Sequence, residues 1–106
     1  MESAVTDAER LARIFKAFSV DTRVRIVQLL KERELCVGAL AARLKVSSGA
    51  VSQHLRILRD AGVVFPDRQG YFVHYRIDQR TLAEWKRMAD KLLSSPGSAE
   101  GTPQDF

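Results

Sequence analysis

Apolar residues return every three or four positions through much of the chain, which is the helical period. Leu11, Ile14, Phe15 and Phe18 define one face of a helix over residues 8–19, with Thr6 or Asp7 placed to cap its start. Asp21 is the expected N-cap of a second helix over about 21–32, whose stripe is Val24, Val27 and Leu30 with Ile26 beside it. Glu34-Leu35-Cys36-Val37 reads as a short extended link, and residues 38–46 as a short helix with Leu40, Ala41 and Leu44 inward. Val46 to Gly49 reads as a tight turn. Ser47 or Ser48 then caps a helix that runs to Ala61 and stops at Gly62, a residue suited to the position just past a helix end. Two helices of unequal length joined by a few residues make a helix-turn-helix pattern.

From Val63 onward the pattern changes. Val63, Val64 and Phe65 start a strand, Pro66 to Gly70 form a turn, and Tyr71 to Ile77 form a second strand, so this stretch reads as a β-hairpin. Asp78 caps a last helix reaching about Leu93, with Leu82, Trp85, Met88 or Ala89, and Leu92 on one stripe. The expected fold is mainly α with a small hairpin: four helices, the hairpin, then a helix, a winged helix-turn-helix spanning residues 1–93. Residues 94–106 are rich in Ser, Gly and Pro and are expected to be a disordered tail.

Composition sharpens this picture. A chain of 106 residues, 45% hydrophobic and 28% charged, suits one ordinary globular domain with a modest core. Joining two chains would bury more. The net charge is +4, but residues 94–106 hold two acids and no base, so the body carries 17 basic and 11 acidic residues, a charge of +6. Such a balance points toward an acidic partner such as nucleic acid. The single cysteine, Cys36, excludes a disulfide framework within one chain and fits a cytoplasmic setting. No apolar run approaches the ~18 residues of a membrane span, and the start, MESAVTDAER, lacks the basic and apolar regions of a signal peptide. No nucleophile stands with a base, no phosphate loop is present and no carboxylate pair marks a cleft, so an enzyme is not expected.

The helix that begins after Ser47 carries the distinctive chemistry. At about 100° per residue, Ser48, Ser52 and Arg56 share a face with Gly49 and Gln53, while Val51, Leu55 and Leu58 lie opposite. An α-helix fits the DNA major groove, where serine hydroxyls bond bases or phosphates. A glutamine amide matches adenine N7 and N6, and an arginine matches guanine or phosphate. A solvated polar face would look the same in isolation; the preceding short helix, the turn, the hairpin and the basic body favour DNA. In the hairpin, Arg68 is placed to reach a minor groove or phosphates, whereas Arg76 fits a structural ion pair.

Three stretches together resemble the ArsR-type, arsenic- and metal-responsive bacterial repressors: IFKAFSVDTRVRIVQLL, ELCVGALAARLKVSSGAVSQHLRILRDAGVV and RQGYFVHYRI. The phrases "D-T-R-x-R-I", "V-S-x-H-L-x-x-L-R-x-A-G" and "G-x-x-x-x-Y-R" occur in order, within a similarity that covers roughly residues 8–93. The resemblance implies a homodimeric winged-helix repressor that joins through its first and last helices. It would bind a dyad-symmetric double-stranded DNA operator and release it on meeting an effector. The terminal helices agree: Leu11, Phe15, Phe18, Leu82, Trp85 and Leu92 offer more apolar surface than one small domain needs. The expected DNA-contacting set is Ser47, Ser48, Ser52, Gln53, His54 and Arg56, with Arg68 in the wing.

The chain departs from that family at its metal sites. Where the family carries a Cys-x-Cys pair at the third helix, this sequence has Cys36-Val37-Gly38, and soft ions want several thiolates together. In the last helix Asp78 fits the first position of a second site, but Arg80 stands where a histidine is expected, and Lys91 and Ser94 fall at the later positions. A guanidinium has no free lone pair and an ammonium repels a cation. No metal site or cofactor is therefore expected, and the inducing signal is left open. Three alternatives stay in view: a metal sensor using an unrecognised site, perhaps between protomers or at Cys36, His54 and His74, a redox sensor built on Cys36, and a winged helix that binds protein rather than DNA. For Cys36 itself the plainest reading is a small buried hydrophobe.

Overall fold

A computed structural model describes residues 6–95. Residues 96–106, most of the expected tail, lie outside the described residues, as do residues 1–5. The elements in chain order are α1 (Asp7–Ala17), α2 (Asp21–Glu32), β1 (Leu35–Cys36), α3 (Val37–Leu44), α4 (Ser48–Asp60), β2 (Val64–Gln69), β3 (Phe72–Ile77) and α5 (Gln79–Leu93). Five helices and a small antiparallel sheet make a mainly α winged helix-turn-helix, as the hydrophobic pattern implies.

Local chemistry sets the helix ends. Thr6 and Glu9 form a reciprocal capping box on α1, each side chain bonding the other's backbone N–H at 3.1 Å. Asp78 Oδ1 accepts from the backbone N–H groups of Arg80 and Thr81 at 3.0 and 3.2 Å and so starts α5. At the end of α4, Gly62 adopts φ +83°, its N–H bonds the Arg59 carbonyl, and the Val63 N–H reaches back to Leu58. That is a Schellman closure, which requires a left-handed residue where glycine stands. Asp21 differs from expectation: Val20 occupies the N-cap without a side-chain bond, and Asp21 is the first helical residue. There its carboxylate sits 3.5 Å from Arg25, near the positive end of the helix dipole.

The core is continuous across the elements. Ile14 and Ala17 from α1, Ile26, Val27 and Leu30 from α2, and Leu40 and Ala41 from α3 meet Val51, Leu55 and Leu58 from α4. Leu35, Val63, Val64, Ile77 and Trp85 close it from the sheet side and α5. On α2 the buried stripe is Ile26, Val27 and Leu30, whereas Val24, expected inward, is 37% exposed.

The expected extended link at 34–37 contains a strand. Leu35 pairs with Tyr75 and Cys36 with His74, giving a three-stranded sheet in the order β1-β3-β2. The wing is thereby stitched to the segment that leads into α3. The strands of the hairpin run further than the sequence suggests. β2 continues to Gln69, which pairs with Phe72, and only Gly70 and Tyr71 form the turn. Gly70 has φ +67°, the value that a two-residue II′ turn demands of its first position. Pro66 sits within β2 opposite Tyr75; β2 is an edge strand, where a missing N–H is tolerated.

Candidate nucleic-acid interface

The helix-turn-helix is α3, the connection Lys45–Ser47, and α4. Lys45 takes a left-handed conformation, φ 59°, and ends α3, with the Val46 N–H bonding Ala41 O at 3.2 Å. Ser47 then caps α4, its Oγ accepting from the Ala50 N–H at 3.1 Å. Ser48 and Gly49, expected in the turn, fall in the first turn of α4 because Ser47 provides the cap.

Burial divides α4 sharply. Val51, Leu55 and Leu58 are 0–1% exposed and pin the helix to the core. Ser48, Gly49, Ser52, Gln53 and Arg56 all face solvent. Built at Gly49, a Cβ would meet nothing within 4 Å, so no internal packing requires the glycine. The structure thus brings Ser48, Ser52, Gln53 and Arg56 onto one open face. Ser47 stands at its N-terminal edge with its acceptor committed to the cap. Arg68 lies on β2 rather than at a turn, opposite Val73, and its side chain is exposed.

His54 is half-buried, and its Nδ1 accepts a hydrogen bond from Arg23 Nε at 3.2 Å. Arg23 also donates through Nη1 to the carbonyls of Lys16 and Ala17, at 3.4 and 3.3 Å. Nothing in the phrase Asp21-Thr22-Arg23 points to this partner, which lies 31 residues away on another helix. The only signal was the placement of an arginine on the half-buried side of α2, which identifies no partner.

Around the sheet, Arg76 forms the expected structural pairs, 3.0 Å from Asp67 and 3.5 Å from Glu34. His74 faces Cys36 on β1 and Asp67 on β2; its Nδ1 is buried without a hydrogen-bond partner, 3.9 Å from Glu34. Cys36 is half-buried rather than a core hydrophobe. It caps α3, its Sγ accepting from the Ala39 N–H at 3.4 Å. Gly38, where the family's second thiol would stand, is an exposed residue. Among the described residues no three His, Cys, Asp or Glu side chains gather to hold a metal ion. Gly38, Arg80 and Lys91 offer no metal-ligating atom at the positions where the family resemblance would put one.

The residues expected at a dimer face divide in two. Trp85 is 9% exposed and Phe18 meets it edge to face, with centroids 5.3 Å apart and planes at 79°. Together with Leu82 they seat α5 within the protomer. Phe15 and Leu92 are 45% and 57% exposed, and Leu93, next along α5, is 74% exposed, while Leu11 is half-buried. An ion pair from Arg10 to Glu84, 2.6 Å long, ties α1 to α5. Further along α5, Asp90 hydrogen-bonds the Lys86 ammonium at 2.7 Å, which raises the lysine pKa above its ordinary value.

A short helix, a tight connection, a second helix with one face buried and the other bare, and a paired wing define a winged helix-turn-helix protein of the DNA-binding class. Comparison with known proteins narrows the class. The sequence pattern described as "Bacterial regulatory protein, arsR family" matches residues 21–64. A transcriptional repressor SmtB homolog from Synechocystis sp. is 38% identical over 93 residues, covering 87% of this chain and 70% of that protein. An ArsR-like transcriptional regulator from Rhodococcus sp. RHA1 superposes with a TM-score of 0.72 at 31% identity, covering 78% of each chain. The homodimeric winged helix-turn-helix DNA-binding domain of a possible ArsR-family regulator from Mycobacterium bovis gives 0.67 at 28% identity, covering 81% of this chain and 83% of that one. The chain belongs to the ArsR family of bacterial regulatory proteins and is a DNA-binding transcriptional regulator. No helix among the described residues is long and apolar enough to cross a membrane.

Proposed function

We propose that the protein is a homodimeric repressor that reads a dyad-symmetric operator with α4 in the major groove. It is read as a regulator without catalytic residues. One observation carries the reading: on a single helix, three apolar residues are sealed in the core while Ser48, Ser52, Gln53 and Arg56 stand together in solvent. Gln53 and Arg56 are the base-reading candidates, Ser48 and Ser52 allow close approach, and Ser47, His54 and the wing's Arg68 are placed for the phosphate backbone. Phe15 and Leu92, with Leu11, are the apolar surface that α1 and α5 leave for a partner protomer, to which Phe18, Leu82 and Trp85 supply a rigid backing. A two-fold axis would set the two copies of α4 about 34 Å apart, in successive major grooves.

The inducing signal is proposed to act elsewhere than the two family metal sites, since Gly38, Arg80 and Lys91 replace metal ligands there. Fluorescence anisotropy of the protein on its own upstream DNA, at fixed physiological salt, tests the whole reading. Tight and sequence-selective binding, unchanged by Zn(II) or As(III), is the expected result. Release by a stoichiometric metal would refute the proposal on the signal, and the absence of selective binding would favour a protein-binding winged helix.

A further inference from the structure

Arg23 and His54 come from different helices and meet at one hydrogen bond whose direction has chemical content. A guanidinium carries only N–H donors, has no acceptor and stays charged. With Arg23 Nε donating to His54 Nδ1 at 3.2 Å, that nitrogen must offer a lone pair. A neutral imidazole has one N–H, so the proton lies on Nε2. His54 Nε2 makes no hydrogen bond among the described residues, yet it is not among the buried atoms left without partners. His54 is half-buried and directly follows the exposed Gln53 on α4.

We infer that Arg23 is a positioning residue for DNA recognition: it locks His54 in the Nε2–H tautomer, so that α4 presents a neutral N–H donor to a DNA phosphate oxygen. The assignment rests on the operator binding proposed above. The same guanidinium holds the carbonyls of Lys16 and Ala17, the last turn of α1. One side chain therefore fixes the register between the first helix and the edge of the DNA-facing helix. Arg23 itself touches no DNA in this arrangement and acts through the imidazole.

The tautomer is read directly by ¹⁵N-edited NMR of the imidazoles in the full chain. His54 should show a pyridine-like Nδ1 and a pyrrole-like Nε2, and Arg23→Met should redistribute the proton between them. Two substitutions then separate the two nitrogens. His54→Asn keeps an acceptor near the Nδ1 position and loses the outward donor, whereas His54→Gln places an amide N–H near the Nε2 position. The Asn variant should bind operator roughly ten- to 150-fold more weakly per half-site, the value of one hydrogen bond to a charged acceptor, and the Gln variant should stay near wild type. Neither should change the salt dependence, because a neutral donor displaces no counterion. Circular dichroism checks that both fold. An Nδ1–H tautomer in the wild-type spectrum, an Asn variant that binds like wild type, or a salt slope that falls by about one would each overturn the assignment. A wild-type chain that binds no operator would instead overturn the function proposed above, and the imidazole spectrum would then decide the tautomer on its own.

Discussion

Gly38 and Gly49 offer a matched pair of perturbations. Each is the second residue of its helix, α3 and α4 respectively, one place after Val37 and Ser48. A Cβ built on either meets nothing within 4 Å, and neither has a positive φ. Replacing either by alanine therefore adds a methyl group to open space and removes backbone freedom from the unfolded chain. The expected gain is about 0.4–1 kcal/mol in each case, a rise of about 2–8 °C in midpoint for a domain of this size. DNA binding should split the pair. Gly49 lies on the solvent face with Ser48, Ser52 and Gln53, so its new methyl group would point into the groove where the helix must come close. Overpacking of a close contact costs about 1–3 kcal/mol, which is roughly five- to 150-fold in affinity per half-site. Gly38→Ala should bind nearly as wild type. Thermal unfolding by circular dichroism and operator anisotropy measure the two quantities separately. If Gly49→Ala bound operator as tightly as wild type, the close approach of α4 would be refuted. If both variants lost stability, the open space around these glycines would be wrong.

Other substitutions address other parts of the reasoning. Gln53→Ala and Arg56→Ala should each cost about 1–3 kcal/mol of discrimination at one base pair if they read bases. If Arg56 instead meets phosphate, its loss should weaken all sequences alike and lower the salt slope by about one. Leu58→Ala, at 0% exposure beneath the DNA-facing helix, should destabilise the fold by about 2–5 kcal/mol in urea denaturation; a loss under 1 kcal/mol would contradict its burial. Phe15→Glu combined with Leu92→Glu should leave a folded chain that sediments as a monomer, because both side chains are about half exposed in the protomer; retention of the dimer would move the interface away from α1 and α5.

Much of the architecture was legible because it follows from local periodicity. The stripe Val51, Leu55 and Leu58 fixes which side of α4 is buried, and hence which side is bare, without knowledge of the neighbours. Thr6, Asp78 and Gly62 declare their helix ends by chemistry within four residues. What escaped depends on partners distant in the chain. A strand of two residues, Leu35–Cys36, has no periodicity of its own and exists because β3 pairs with it some forty residues later. Cys36 caps α3 only because the strand delivers its sulfur to the Ala39 N–H. The apolar stripe of α2 shifts from Val24 to Ile26 because tertiary packing chose among adjacent apolar residues. Trp85 and Leu92 share one stripe of α5 by spacing, yet only Trp85 falls where Phe18 packs against it. The bond from Arg23 to His54 joins residues 31 apart, a relation that the sequence pattern alone could not express.

The small sheet has a further consequence, for behaviour at high concentration. A projecting hairpin whose outer strand shows a regular row of free N–H and C=O groups is a template on which another chain can add a strand. Here β2 is that outer strand, and its middle is Pro66 followed by Asp67 and Arg68. The proline removes one donor from the row, and an added strand would have to desolvate the charged side chains beside it. On the opposite side β1 covers only Tyr75 and His74, and the chain turns at once into α3, too short a run to propagate. The wing is thus guarded against edge-to-edge association, so copies of the regulator can gather on DNA without their hairpins growing into shared sheets.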